Sequence, residues 1–121
     1  MYKVIGNKLF IDENECAFEY DIEDVKYQEG IYIVLLNIPN EVNEVDNIYG
    51  VNKLGEIIWR IENPIVAFNI KSDEQGYNYY ADSIYVGLFV SESKFSASTF
   101  FGMNYDFNFK TGKLIGKKAL K

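Results

Sequence analysis

The side chains in this sequence that could do chemistry are mostly carboxylates. The chain has 18 aspartate and glutamate residues against 12 lysines and arginines, no histidine, and one cysteine, Cys16. Two carboxylates that face each other across a substrate can hydrolyse glycosides, so this chemistry is compatible with the composition. The lack of histidine excludes Ser-His-Asp triads and histidine zinc sites, and it removes the commonest general base near neutral pH.

The acidic residues concentrate in the first half of the chain. Residues 1–50 hold eleven acidic and three basic residues, residues 101–121 hold one acidic and five basic residues, and the formal net charge is −6. The two main acidic runs are Glu19, Asp21, Glu23 and Asp24, and then Glu41, Glu44 and Asp46. Runs of like charge usually form solvated faces, and an acidic face attracts basic molecules. The pattern therefore favours a solvated face or a surface for a basic protein partner, with Glu41, Glu44 and Asp46 as candidate binding residues. We predict no catalytic residue.

Metal and cofactor sites are not predicted either. Asp12-Glu13-Asn14-Glu15 lacks the spacing and the glycine of an EF-hand loop, and one cysteine cannot form a thiolate zinc cage. The sequence contains no glycine-rich phosphate loop of standard spacing. We therefore expect neither a bound metal nor a cofactor.

Nucleic-acid binding has one feature in its favour. Basic residues near the end of the chain follow closely on aromatic ones, a combination used by single-strand binders. The lysines are Lys110, Lys113, Lys117 and Lys118, and the aromatic residues are Tyr105, Phe107 and Phe109. The overall acidity opposes this function, because phosphate contacts dominate such affinity.

A hairpin around the only tryptophan is the clearest structural signal. Asn52-Lys53-Leu54-Gly55 is typical of a β-turn with glycine in the left-handed region. In the arm that follows, Ile57, Trp59 and Ile61 alternate with more polar neighbours. A period of two predicts a strand whose apolar face carries all three residues, with Trp59 in the core rather than under a ligand.

Period-two patterns and turn signals at spacings of about 8–12 residues predict an all-β fold. Other strands are predicted at Tyr2–Ile5, Lys8–Ile11, Cys16–Tyr20, Ile31–Asn37, Ile65–Ile70, Ser83–Val90 and Tyr105–Phe109, with one beginning at Val25 and a return arm at Lys113–Gly116. Tight turns are predicted at Gly6-Asn7 and Glu29-Gly30. In Ser83–Val90, alternation assigns Tyr85, Gly87 and Phe89 to one face and Ile84, Val86, Leu88 and Val90 to the other. The run Ile31-Tyr32-Ile33-Val34-Leu35-Leu36 is continuously apolar, which indicates a strand covered on both faces. The chain of 121 residues suits a single domain, 1–121, with eight to ten short antiparallel strands in two packed sheets or an open barrel.

The stretch 71–82 is the most loop-like part of the chain, and tyrosines follow its polar residues. Tyr77, Tyr79 and Tyr80 are candidate binding residues, because tyrosine combines a large contact area with a polar tip. The alternative is that they are strand aromatics over a sheet edge, and the stretch is only a connection.

Two resemblances bear on these predictions. Ile48-Tyr49-Gly50-Val51-Asn52-Lys53-Leu54-Gly55-Glu56-Ile57-Ile58-Trp59 resembles the strand-turn-strand of a quinoprotein-type β-propeller blade, with its glycine after the turn and its tryptophan in the second strand. This resemblance implies a hairpin and no cofactor, since one short chain cannot close a ring of about four to eight four-stranded blades. In size and composition, the whole chain is similar to small acidic bacterial proteins of the toxin-immunity type, which implies a protein partner.

The sequence thus leaves three functions open. The first is a non-enzymatic protein-binding module, of the immunity or adaptor kind, with an acidic surface for a basic partner. The second is a small-ligand or carbohydrate-binding β domain that uses tyrosines or Trp59, and the third is a carboxylate-dependent hydrolase. No apolar run approaches the roughly 20 residues of a membrane helix, and the amino-terminal residues do not look like a signal peptide. With its lone Cys16, the chain is expected in the cytoplasm and away from membranes.

Overall fold

The computed structural model describes residues 2–39, 41–42, 45–63, 84–91, 94–100 and 102–119, and the regular structure in these ranges is antiparallel β. The strands are β1 (Tyr2–Ile5), β2 (Lys8–Ile11), β3 (Asn14–Ala17), β4 (Ile22–Gln28), β5 (Ile31–Leu36), β6 (Ile48–Val51), β7 (Ile57–Arg60), β8 (Tyr85–Val90), β9 (Phe95–Thr99), β10 (Met103–Phe107) and β11 (Leu114–Ala119). Within these ranges, no helix has the length and hydropathy of a membrane span.

The strands form three sheets that follow the order of the chain. The first sheet is β1-β2-β3, the middle sheet is β4-β5-β6-β7, and the third sheet is β8-β9-β10-β11. The predicted all-β, antiparallel, sandwich-like architecture is confirmed. The described strands number eleven rather than eight to ten, they stack in three layers rather than two, and none of their sheets closes on itself.

The middle sheet is covered on both faces. Ile33 and Leu35 of β5 pack in one core with side chains of the third sheet, while Val34 and Leu36 pack in a second core with the first sheet. The continuous apolar run of β5 is therefore explained as predicted, because each face of this strand needs apolar residues. Burial leaves 1% or less of Ile33, Val34 and Leu35 exposed.

The two cores differ in composition. The core between the first and middle sheets is mainly aliphatic and includes Leu9, Ile11 and Cys16. The core between the middle and third sheets is rich in aromatic rings, and Phe95 and Phe107 stack in it with centroids 5.3 Å apart. Burial also raises the pKa of the Cys16 thiol, so this cysteine stays protonated and unreactive.

The tight turns match their sequence signals. Ile5 pairs with Lys8, so Gly6 and Asn7 form a two-residue hairpin loop in which Gly6 has φ +58°. Glu29 and Gly30 both have positive φ and join β4 to β5, as a type I′ turn requires.

Trp59 ties the middle sheet to the third sheet. Its Nε1 donates a hydrogen bond of 2.9 Å to the carbonyl of Phe109, and its ring stacks on Phe95 with centroids 5.5 Å apart and planes 8° apart. Gly50 lies against the indole from β6 and Gly112 from the turn before β11, and a Cβ on either glycine would overlap the ring. The predicted core role of Trp59 is confirmed, since only 8% of it is exposed.

Two face assignments from simple alternation are wrong, and a β-bulge explains each. Gly50 pairs with Trp59 but Val51 pairs with Ile57, so Ile58 is an extra residue that puts Ile57 on the face opposite Trp59, half exposed. Tyr85 pairs with Thr99 but Gly87 pairs with Ser98, so Val86 is extra and Tyr85 shares the buried face with Leu88. A one-residue slip reverses the faces of every residue beyond it.

Several strand bounds also differ from expectation. The strand predicted at Cys16–Tyr20 spans Asn14–Ala17, although the alternation of buried and exposed residues continues to Tyr20. β4 begins at Ile22 rather than Val25, and β11 continues to Ala119 because it pairs with β10 along that length. The predicted strand Ile65–Ile70 lies outside the described residues.

Substitution of Gly50 tests how tightly the Trp59 indole is packed. We expect Gly50→Ala to lower the free energy of unfolding by about 3 kcal/mol, because the added methyl must displace Trp59 from a filled core. Urea denaturation measures this loss. Gly87→Ala is the matched control, since its Cβ would come no closer than 3.4 Å to a Phe89 ring atom. Equal stability of the two variants would contradict the packing described for Trp59.

Candidate functional site

The predicted site residues fall into three groups. Glu41 is exposed in the connection between β5 and β6, and Asp46 is half-buried just before β6. Glu44, Tyr77, Tyr79 and Tyr80 lie outside the described residues. The tyrosine surface therefore stays a prediction, and the description of the site rests on other residues.

Asp46 takes part in the internal structure of the chain. It has φ +57°, and its carboxylate accepts hydrogen bonds of 3.0 and 3.2 Å from the side-chain amide of Asn63. Arg60 donates 2.9 Å hydrogen bonds to the carbonyls of Asp46 and Val45, and its guanidinium lies over the Tyr49 ring. These contacts fix the chain where it enters β6.

Three carboxylates of the first acidic run form the feature that we call the acidic edge: Glu19, Asp21 and Glu23. All three are exposed: Glu19 and Asp21 precede β4, and Glu23 lies within it. This strand is an edge strand of the middle sheet. The backbone that carries them is held in place, since Ile22 donates to the carbonyl of Gly6 at 2.9 Å and Asn37 donates to that of Asp21 at 2.8 Å. The acidic edge is thus a set of solvated charges on a fixed backbone.

A β-bulge determines where Glu23 lies. Ile22 pairs with Leu36 and Asp24 pairs with Leu35, so Glu23 is an extra residue without a partner in the ladder. Bulges redirect side chains and are common next to functional sites. The residue after Glu23 is Asp24, which has a carboxylate oxygen 3.6 Å from the Lys26 ammonium.

Glu23 borders a small cleft between the middle and third sheets. The cleft has a volume of about 170 Å³ and is lined by Glu23, Leu36, Asn37, Ile38, Ile84, Tyr85 and Val86. Val86 is itself the bulged residue of β8, and β8 lies against β4 and β5. Two bulges therefore meet at this cleft, which has apolar walls and one carboxylate.

Asn47 lies buried behind the cleft and joins its two walls. Its side-chain amide donates to the carbonyls of Leu36 at 2.8 Å and Tyr85 at 3.0 Å, and its Oδ1 accepts from the Tyr85 N–H at 2.9 Å. Its own carbonyl accepts from the Leu36 N–H at 2.9 Å. Asn47 is 1% exposed, so these bonds form away from water and fix the spacing of the sheets.

The composition leaves hydrolysis by paired carboxylates open, and the positions of the carboxylates in the two depressions bear on it. The cleft contains one carboxylate, Glu23, and a second depression on the first sheet also contains one, Asp12. Neither of them brings together the two carboxylates that glycoside hydrolysis needs. Among the residues that the structure describes, no three histidine, cysteine, aspartate or glutamate side chains converge as metal ligands would.

Stacking of a ligand on Trp59 has no structural support, because the ring is enclosed by Phe95 and two glycines. Other tyrosines are accessible: Tyr2 and Tyr27 are partly exposed and contact the ring of buried Tyr32. Burial, and after it the neighbouring Tyr27, Asp12 and Tyr2, raise the pKa of Tyr32, so its hydroxyl is protonated at neutral pH.

The fold and site define an all-β protein of stacked antiparallel sheets with an acidic edge. The chain belongs to a family described as a domain of unknown function, DUF7957, whose model matches residues 1–119. No curated protein matches the chain.

Two solved structures of designed proteins are similar in fold. The computationally designed Ika4 protein is 9% identical with a TM-score of 0.58, and the alignment covers 89% of this chain and 54% of that one. The computationally designed Ika8 protein is 9% identical with a TM-score of 0.55, with 97% of this chain and 35% of that one covered. This chain thus spans about half of the first and about a third of the second. At this identity, the similarity concerns the fold alone.

Sequence reasoning missed two residues of this site. Asn47 follows an acidic run and has no local signal that it is buried, since its partners lie 11 and 38 positions away. Glu23 belongs to an acidic run of the sequence, but its position at the cleft follows from a bulge that is defined only by the pairing of β4 with β5.

Substitution of Asn47 tests its role in joining the middle sheet to the third sheet. We expect Asn47→Ala to lower the free energy of unfolding by about 3 kcal/mol, because it leaves the buried Tyr85 N–H and two carbonyls without this partner. Chemical denaturation measures the loss. Asn104→Ala is the control, because its side chain makes a marginal 3.5 Å contact with Ser98 on the outward face of the third sheet. A cost for Asn47→Ala no larger than for the control would show that Asn47 does not hold the cleft.

Proposed function

We propose that this protein is a non-enzymatic protein-binding module, of the adaptor or immunity kind, that presents its acidic edge to a basic partner. The observation that carries the proposal is Glu23, which a bulge directs outward at the rim of a cleft with apolar walls. Glu19 and Asp21 extend the negative charge from that point along the edge.

The size of the cleft favours a side chain over a small-molecule ligand. Its volume of about 170 Å³ compares with roughly 300–1,000 Å³ for typical ligand pockets. A lysine or arginine side chain has an apolar stem and a charged head. The stem fits against Ile38, Ile84 and Val86, and the head then reaches the Glu23 carboxylate at the rim.

The charge distribution supports association with a basic surface. Acidic residues outnumber basic ones by eleven to three in residues 1–50, and their long-range field raises the rate of encounter with a positively charged protein. Salt screens such a field over about 8–10 Å at ordinary ionic strength, so association should depend on salt. The proposal places this encounter in the cytoplasm, where a lone buried cysteine remains reduced.

Capture experiments with matched charge variants test the proposal. Tagged wild-type protein, immobilised at low salt and exposed to a lysate of cells that carry the gene, should retain one basic protein in stoichiometric amount. The variant Glu19→Gln/Asp21→Asn/Glu23→Gln should lose that protein, and with purified partner its association rate should fall by at least about tenfold.

The control is Glu13→Gln/Glu29→Gln/Glu56→Gln, which removes the same charge from exposed positions away from the cleft. We expect this control to retain the partner, since Glu23 and the cleft are unchanged. Retention of the same proteins by both triple variants, or the recovery of wild-type protein alone at low salt, would refute the proposal.

A further inference from the structure

The edge strands of the three sheets differ in how they are protected against pairing with another chain. Unpaired N–H and C=O groups at a sheet edge can pair with an extended chain, and a β-bulge is one device that prevents it. Every edge strand of the middle and third sheets contains one bulged residue: Glu23 in β4, Ile58 in β7, Val86 in β8 and Ile115 in β11. The ladders of β1 and β3, the edge strands of the first sheet, contain no bulge.

The edge of β3 is covered by the turn between β6 and β7. The side-chain amide of Asn14 in β3 donates a hydrogen bond of 3.1 Å to the carbonyl of Lys53 in that turn. A Cβ on Gly55 would lie only 3.3 Å from the backbone oxygen of Glu15, so the turn lies directly against β3. Of the edge strands that the structure describes, β1 alone has neither a bulge nor such a cover.

Backbone groups of β1 point to this open edge. Ile5 and Lys8 flank the two-residue turn to β2, so they exchange both of their backbone hydrogen bonds. Antiparallel ladders alternate bonded and non-bonded pairs, so the N–H and C=O groups of Tyr2 and Val4 point away from β2. All four residues of β1 are exposed, Val4 by 38%. The edge thus presents two donors and two acceptors to a further strand.

The open edge is held in a fixed position over β4. At one end of β1, the Gly6 carbonyl accepts a hydrogen bond of 2.9 Å from the Ile22 N–H, and at the other end the Tyr2 hydroxyl donates to the Val25 carbonyl at 3.4 Å. A preorganised edge lowers the entropy cost of binding. In the part of the chain that the structure describes, the first sheet has three strands and the other two have four each, so one strand added beside β1 would equalise them.

The depression on the first sheet adjoins this edge. It has a volume of about 420 Å³ and is lined by Tyr2, Lys3, Ile5, Phe10 and Asp12. Residues directly opposite each other in a ladder lie on the same face. Side chains of an added strand opposite Lys3 and Ile5 would therefore point into the depression. Ile5 is 54% exposed and offers apolar area for such a side chain.

The acidic edge begins beside the turn that follows β1. Phe18 donates a hydrogen bond of 2.9 Å to the carbonyl of Asn7 in this turn, which places Glu19, the next residue, close to it. A Cβ on Gly6 would lie 3.7 Å from a carboxylate oxygen of Asp21. The open edge of β1 and two carboxylates of the acidic edge therefore form one surface, and its charge favours a basic chain.

We propose that the partner binds by adding an extended strand to the free edge of β1. The N–H and C=O groups of Tyr2 and Val4 pair with this strand, its apolar side chains pack in the depression, and its lysine or arginine side chains reach Glu19 and Asp21. Main-chain pairing of this kind gives affinity, and alternate side chains give specificity. The inference rests on the proposed function for the basic character of the partner, and it adds the conformation in which that partner binds.

Lys3 limits which strands fit this edge. Its side chain lies on the outward face opposite Phe10, and like charges directly opposite each other destabilise a ladder. The partner residue opposite Lys3 is therefore apolar or acidic, and the basic residues lie toward the Gly6-Asn7 turn. The bound segment accordingly has apolar residues at alternate positions and basic residues toward one end.

A phage library of random peptides provides the probe for this inference. Peptides of about twelve residues are long enough for a typical strand. Selection on the wild-type protein at low salt should enrich peptides that have apolar residues at alternate positions, lysine or arginine toward one end, and no proline in the alternating part. The selected peptides are then synthesised, and their affinities are measured by fluorescence anisotropy.

Val4→Pro removes the outward N–H from the centre of the edge. It should weaken binding of the selected peptides at least about tenfold, because a bond of the new ladder is lost and its acceptor is left unpaired. Val4→Thr is the matched control, because it keeps both the N–H and the shape of the side chain, and it should bind as the wild type does. Circular dichroism should show both variants folded.

Hydrogen exchange on the wild type adds a measurement that needs no variant. The Val4 amide should exchange more slowly when a selected peptide is bound. The Ala17 amide should not change, because it points away from β2 at the opposite edge of the sheet. A Val4 amide that is already protected in the isolated protein would overturn the proposal, because the edge would then be occupied without a partner.

The remaining outcomes separate this inference from the proposed function. If no peptide is selected, or if Val4→Pro binds the selected peptides as tightly as the wild type, strand addition is overturned. Loss of the peptides by Glu19→Gln/Asp21→Asn/Glu23→Gln but not by Val4→Pro supports the acidic edge and overturns strand addition. Loss by Val4→Pro but not by the triple variant supports strand addition and contradicts the role of the acidic edge.

Discussion

The burial of the middle sheet on both faces is the constraint on which the rest of the structure depends. Fully burying one aliphatic side chain contributes about 1.5–3 kcal/mol. In β5, successive residues from Tyr32 to Leu36 are buried on alternate sides. One strand therefore contributes to two cores at once, and the first and third sheets are held together through it.

Two specific contacts turn this apolar stacking into a defined arrangement. Trp59 packs between two glycines and bonds the carbonyl of Phe109, while Asn47 bonds both Leu36 and Tyr85. Apolar burial has no direction, but a buried hydrogen-bonding side chain fixes how two sheets meet. The cleft beside Glu23 lies next to the Asn47 junction, so its shape follows from that junction. The position of Glu23 at the rim of the cleft thus depends on a buried amide.

The sequence predicts those features whose signals are local. The Gly6-Asn7 and Glu29-Gly30 turns and the two-sided burial of β5 were readable from residue type and period. The bulges could not be predicted in this way. Ile58 and Val86 are extra residues only because of how their strands pair with the neighbouring strands. For the same reason, alternation assigns Ile57 and Tyr85 to the wrong faces of their strands. At the site, the acidic run is evident from the sequence. The position of Glu23 beside the cleft depends instead on strand pairing, which sequence periodicity does not encode.

Native-state hydrogen exchange tests the central role of the middle sheet most directly. The amides of Ile33, Val34 and Leu35 should be the slowest to exchange, with an opening free energy equal to that of global unfolding, because β5 can open only when both cores are lost. Amides of β1 and β11, at the edges of the outer sheets, should exchange through smaller openings. Faster exchange in β5 than in β1 or β11 would contradict the account.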